Sequence, residues 1–159
     1  MLPHLVDAPL SVSRMIREVL RRSDGALATF VGVVRNENDG LPVETIEYSA
    51  YRQMAEREIA AIERELALDF EGTAVRIHHR LGKLAVGDAS VAIVAVSPHR
   101  REALAACREG IERIKARVPI WKREHGPGRD PSWVDPRHEH APEDAARDAG
   151  DIVGSRGNG

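Results

Sequence analysis

Cysteine is almost absent from this chain: Cys107 is the only one in 159 residues. A single thiol excludes an intramolecular disulfide framework and suits a reducing cytoplasm. Aromatic residues make up only 4%, too few for a base-stacking platform. A surplus of one charge is missing as well. Lys and Arg number 23 against 25 Asp and Glu, for a formal net charge of -2. That balance argues against general nucleic-acid binding. No apolar run is long enough to cross a bilayer. The segment Met1-Leu2-Pro3-His4-Leu5-Val6-Asp7 lacks the basic and apolar regions of a signal peptide. There is no internal repeat. The length suits one domain with its own core, expected over residues 1–137. Residues 138–159 form a polar tail expected to be disordered.

The apolar spacing predicts a helix over Ser11 to Arg22, capped by Ser11 or Ser13. A strand follows over residues 26–34, apolar on both faces and therefore expected in the middle of a sheet. It runs into the polar loop Arg35-Asn36-Glu37-Asn38-Asp39-Gly40, rich in turn residues. Further elements are a strand over Val43 to Tyr51, a helix over Met54 to Leu68, and strands over Thr73 to Arg80 and Ser90 to Val96. Ala55, Ile59, Ile62 and Leu66 mark the buried stripe of that helix. His78 and His79 point to opposite sides of their strand and make no ligand pair. The last long helix is expected to open at Ser97-Pro98, with Ser97 as N-cap, and to bury Leu104, Cys107, Ile111 and Ile114. Cys107 lies in that stripe and reads as a core residue. The order gives an α+β fold, a mostly antiparallel sheet with packed helices. His125, His138 and His140 lie in polar sequence without thiolates or a rigid partner element, and no metal site is expected there.

Cations crowd the stretch Arg113-Ile114-Lys115-Ala116-Arg117-Val118-Pro119-Ile120-Trp121-Lys122-Arg123-Glu124. Pro119 cannot continue a helix and biases Val118 toward an extended backbone, so the helix should stop near Arg117. Lys115 then sits on the last turn and Lys122 beyond the break. One reading is an anion pocket fed by two elements. The other is a solvated set of cations complementing the helix dipole. His99-Arg100-Arg101 sits at the opposite end of this helix, where cations oppose the dipole but would strengthen an anion site. His99 and Lys115 are on the order of 24 Å apart along the helix. A two-fold dimer with antiparallel helices would bring His99 and Arg100 of one chain to Lys115 and Lys122 of the other.

Thr29-Phe30-Val31-Gly32-Val33-Val34-Arg35-Asn36, Ser97-Pro98-His99-Arg100 and Lys115 through Glu124 together resemble the catalytic (large) subunit of molybdopterin synthase. Gly82 through Gly87-Asp88 and Trp133-Val134 fit as well. The likeness covers roughly residues 10 to 137 in the same order. It implies an α/β-hammerhead-type fold and a central homodimer within a heterotetramer. It implies a partner at each end, a small ubiquitin-like sulfur carrier whose C-terminal Gly-Gly ends in a thiocarboxylate. The implied reaction moves sulfur from that tail to cyclic pyranopterin monophosphate and forms the dithiolene of molybdopterin, without a metal or redox cofactor. By resemblance Lys115 and Lys122 are the catalytic groups. Arg35, His99 and Arg100 hold the substrate, Val33 and Val34 line the wall, and Arg123 and Glu124 complete it. Val33 stands where family members often carry lysine, leaving a backbone role there. The alternative is a phosphate- or nucleotide-binding module that uses the same cations without chemistry. An RNA-binding α+β domain fits the acidic balance and low aromatic content less well.

Overall fold

The computed structural model describes residues 3–138. In chain order the elements are β1 (Leu5–Val6), α1 (Val12–Val19), β2 (Ala26–Val33), β3 (Glu37–Asn38), β4 (Leu41–Pro42), β5 (Thr45–Ala50), α2 (Arg52–Asp69), β6 (Ala74–Arg80), β7 (Gly82–Ala85), β8 (Ala89–Ser97), α3 (Arg100–Arg117) and β9 (Ile120–His125). A short 3-10 turn, Pro136–His138, closes the described chain. The larger sheet has the order β1-β6-β8-β2, and a second sheet has the order β7-β5-β9. All neighbours in both sheets are antiparallel except β1 and β6. The fold is α+β, as the sequence predicts. Most of the expected tail, residues 139–159, lies outside the described residues, as does His140.

The larger sheet is covered on both faces. Ala55, Ile59, Ile62 and Leu66 of α2 pack with Ala103, Ala106, Cys107 and Ile114 of α3 against Ile77, Ile93 and Ala95. On the other face Met15 of α1 packs on Ala92, Val94 and Val96. Apolar burial of this kind contributes roughly 25 cal/mol per Å² and supplies the main driving force for folding. A third cluster, Val34, Val43, Ile46 and Leu84, sits under the smaller sheet.

Several expectations change. The first helix ends at Val19, because Leu20 leaves helical geometry and the Arg21 N–H turns back to the Asp24 carboxylate at 2.7 Å. The 26–34 strand is an edge, not a centre. Among the described residues β2 pairs only with β8, and it leaves Leu27, Phe30, Val31 and Val33 exposed by 41%, 37%, 39% and 51%. Among the described residues no strand pairs with its outer edge. Ser97 is no N-cap. It stays in the ladder opposite Ala26, its carbonyl accepts from the Gly25 N–H at 3.0 Å, and His99 takes the cap position with extended backbone. Leu104 is 62% exposed, while the buried stripe runs through Ala103, Ala106, Cys107, Gly110 and Ile114. Small residues let α3 lie close: a Cβ on Gly110 would stand 3.3 Å from the Ile93 Cδ1. Gly82–Ala85, for which the sequence predicts no element, forms β7 and pairs with β5 from Tyr48↔Gly82.

Candidate active site

Pro119 does end α3 as the sequence requires. Val118 caps the helix with φ -78 and ψ 127, and its N–H still reaches the Ile114 carbonyl at 3.1 Å. The chain then becomes β9, which alternates its side chains between two faces. Lys122 and Glu124 face inward with Ile120, while Trp121, Arg123 and His125 face outward. Register fixes their neighbours: Lys122 lies opposite Tyr48 and Glu124 opposite Ile46 on β5. On the outer face Arg123 pairs with Glu47 at 2.6 Å, and His125 faces the same carboxylate at 3.6 Å.

The inward face of β9 borders a cavity of about 190 Å³ whose wall includes Val33, Arg35, Asn38, Lys115, Lys122 and Glu124. Four elements supply its named polar groups. Arg35 follows β2, Asn38 lies on β3, Lys115 comes from the last turn of α3, and Lys122 and Glu124 come from β9. The Asp39-Gly40 turn between β3 and β4 has positive φ at both residues, 52° and 74°, as a tight hairpin turn requires. That turn presents Asn38 to the site. The Asn38 amide donates to Glu124 Oε1 at 3.1 Å, and the Arg35 guanidinium donates to the Asn38 side-chain oxygen at 3.1 Å. Lys122 Nζ stands 3.5 Å from Glu124 Oε1, both side chains being mostly buried at 17% and 13% exposure. Lys115 lies exposed at the mouth.

His79 lies behind Lys115. A small cavity of about 20 Å³ has Tyr48, His79 and Lys115 in its wall. The His79 ring meets the Tyr48 ring edge-on at 5.1 Å between centroids. Burial pushes the His79 pKa down to about 4; its hydrogen-bonding contact with the Arg80 carbonyl opposes that fall, and the Lys115 charge adds to it. The imidazole is therefore neutral near pH 7.

The structure brings Val33, Arg35, Lys115, Lys122 and Glu124 together and leaves four predicted residues elsewhere. Val34 is buried with Val43, Ile46 and Leu84, beneath the wall instead of on it. Arg123 faces away from the cavity because it occupies the other parity of β9. Its guanidinium stacks over Trp133 at 4.6 Å, and Arg137 lies over Trp121 at 5.9 Å. These two stacks hold the returning segment, which also pairs Val134 with Lys122 through backbone hydrogen bonds of 2.8 and 2.9 Å. Trp121 thus has a structural use that explains its place beside Lys122. His99 and Arg100 sit at the far end of α3, beside Gly25 and Pro98. Asn38, Tyr48 and His79 went unnamed as site residues at the sequence level. Asn38 had a signal, its place in a turn-rich loop directly after Arg35, whereas Tyr48 and His79 had only strand parity.

A family model described as "MoaE protein" matches residues 5–117. The molybdopterin synthase catalytic subunit of Bacillus subtilis is 41% identical over 120 residues, covering 76% of each chain. Catalytic subunit 1 of Mycobacterium tuberculosis is 42% identical over 120 residues, covering 76% of this chain and 82% of its own. Among solved structures, molybdopterin synthase from Staphylococcus aureus superposes with a TM-score of 0.79 at 36% identity, covering 83% of this chain and 96% of that one. With cations from three elements gathered at one cavity, and with likeness of this extent in both sequence and fold, the chain belongs to the MoaE protein family.

Proposed function

We infer that this cavity is where the family's sulfur transfer takes place. The chain is a sulfurtransferase of molybdenum cofactor biosynthesis, the catalytic subunit of a molybdopterin synthase. The observation that carries the site reading is the convergence of Arg35, Lys115 and Lys122 on one cavity of about 190 Å³. Both reactants are anions. The donor is the thiocarboxylate at the C-terminal Gly-Gly of a small ubiquitin-like carrier, and the acceptor is cyclic pyranopterin monophosphate. Lys122, on the inner wall, steers the thiocarboxylate and stabilises negative charge as its carbon–sulfur bond breaks. Lys115 acts as acid, base or amine nucleophile. It is exposed in the single chain, so its desolvation awaits a second chain or the reactants. Glu124 completes the wall beside Lys122, Arg35 holds substrate, and Val33 closes the rim.

His99 and Arg100 complete the site from a second copy of the chain. α3 carries Arg100 and Lys115 on the order of 22 Å apart at 1.5 Å per residue. The edge strand β2 supports a way to join them. Its Ala26 end adjoins Ser97, next to His99, while its Val33 end borders the cavity. Two β2 edges meeting antiparallel about a two-fold axis would bring Arg100 of one chain to the Val33 end of the other. The exposed apolar residues of β2 suit such a contact. With a carrier bound at each distal end the assembly is a heterotetramer. No described helix is long and apolar enough to cross a membrane, and a cytoplasmic setting suits a free thiol and a thiocarboxylate. The test is incubation with thiocarboxylated carrier and cyclic pyranopterin monophosphate. Dithiolene product is expected, and binding without turnover would favour a phosphate-binding module instead.

A further inference from the structure

The loop after β9 carries Arg129, whose side chain is only 10% exposed. Its guanidinium donates to four acceptors. Nη1 reaches Glu124 Oε2 at 2.6 Å, Nε reaches the Pro42 carbonyl at 2.9 Å, and Nη2 reaches the Leu41 carbonyl at 2.8 Å and the Asn38 carbonyl. The three carbonyls belong to the β3–β4 hairpin. The loop is held against that hairpin at Gly126, where a Cβ would stand 2.4 Å from the Pro42 oxygen. Glu124 therefore sits between two cations with unequal contacts, 2.6 Å to Arg129 and 3.5 Å to Lys122. A planar guanidinium matches one carboxylate and several carbonyls at once, which a lysine ammonium does not.

We propose that Arg129 is a positioning residue for sulfur transfer: it takes the Glu124 carboxylate as its own ion-pair partner, so that the Lys122 charge is directed at the anionic tail of the carrier. The inference rests on the reading of Lys122 given above. The charge balance makes the point. Lys122, Glu124 and Arg129 together carry one excess positive charge; without Arg129 the Lys122–Glu124 pair cancels, and the pull on an anion falls to what Arg35 and Lys115 supply against Glu37. Lys122 and Glu124 also border a second cavity of about 200 Å³ beside Arg129, so the wall that Arg129 fixes separates two spaces.

The experiment compares the full chain with Arg129→Gln, Arg129→Lys and the double variant Arg129→Gln/Glu124→Gln in sulfur transfer from thiocarboxylated carrier. Arg129→Gln is expected to raise the KM for carrier about tenfold, the size of one lost charge-assisted contact, and to change kcat much less. Arg129→Lys should recover part of the loss, because it restores charge but not the fork. The double variant should recover most of it, because a neutral residue 124 no longer claims Lys122. A role limited to tying the hairpin gives other results: a lower Tm with an unchanged KM, or a double variant no better than Arg129→Gln. Either would overturn the proposal. A second readout needs no turnover. NMR titration of 13C-dimethylated lysines should show the Lys122 pKa rising in Arg129→Gln and falling back in the double variant. Arg35, Glu37 and Lys115 around one cavity, and Asp39 and Asp130 around the other, are the same in every variant. If the unaltered chain transfers no sulfur, the functional reading fails while this titration still decides Arg129. An unchanged Lys122 titration in Arg129→Gln refutes the inference whatever the activity.

Discussion

Mixing two inactive variants tests whether each site is shared between chains. The perturbations are Arg100→Ala, at the first turn of α3, and Lys115→Ala, in its last turn. The helix keeps these positions on the order of 22 Å apart within a chain, too far for one small anionic substrate to touch both. Each homodimer then carries one lesion in every site and should be nearly inactive. In a mixed dimer built on shared sites, one site carries both lesions and the other carries none. Random re-association makes about half the dimers mixed, each with one intact site, so activity should recover to about a quarter of the unaltered protein. The assay is dithiolene formation after subunit exchange, with exchange verified by mass spectrometry of differently tagged chains. No recovery despite verified exchange would mean that both groups serve sites within one chain, and the antiparallel β2 arrangement would have to be given up.

Three further outcomes are expected. Lys115→Ala should lower turnover about a thousandfold, within the range of a lost acid–base group, with unchanged circular dichroism; near-normal product formation would remove Lys115 from the chemistry. Cys107→Ala should cost on the order of 1 kcal/mol in urea unfolding and leave sulfur transfer intact, since the thiol is buried in the α2–α3 core and burial raises its pKa; a persulfide on Cys107 during turnover would contradict this. His79, held down to about 4 by burial, should make the protein acid-sensitive. The unfolded imidazole binds a proton near pH 6.5 and the folded one does not, so the contribution is present above pH 6.5 and fades as pH falls toward 4. The loss between pH 7 and pH 5 is about 2 kcal/mol, and His79→Leu should remove that part of the pH dependence of urea unfolding.

Local chemistry fixed a good part of this protein in advance. Pro119 lacks an N–H, so α3 had to end before it, and the helix does stop at Arg117. The stripe Ala55, Ile59, Ile62 and Leu66 repeats at helical spacing, so α2 had one face to bury, and all four residues are fully buried. The pooled cations and their resemblance to a known family pointed to Lys115, Lys122 and Arg35, which share one cavity. Other features depend on pairing between distant segments and were not legible. An apolar run reads alike in a central strand and in an edge strand awaiting a partner, so only the sheet order put β2 at the edge. Serine before proline resembles a helix start until a neighbouring strand claims its backbone, as Ala26 claims that of Ser97. The β5–β9 register set Lys122 opposite Tyr48 and turned Arg123 outward to Glu47 and Trp133. The link from Arg129 to Glu124 joins a loop, a strand and a hairpin, which no local spacing specifies. Sequence determined which charges exist and where the helices stop, because those depend on each residue and its near neighbours. Tertiary structure decided which charges meet, because strand parity and register are set by partners far away in the chain.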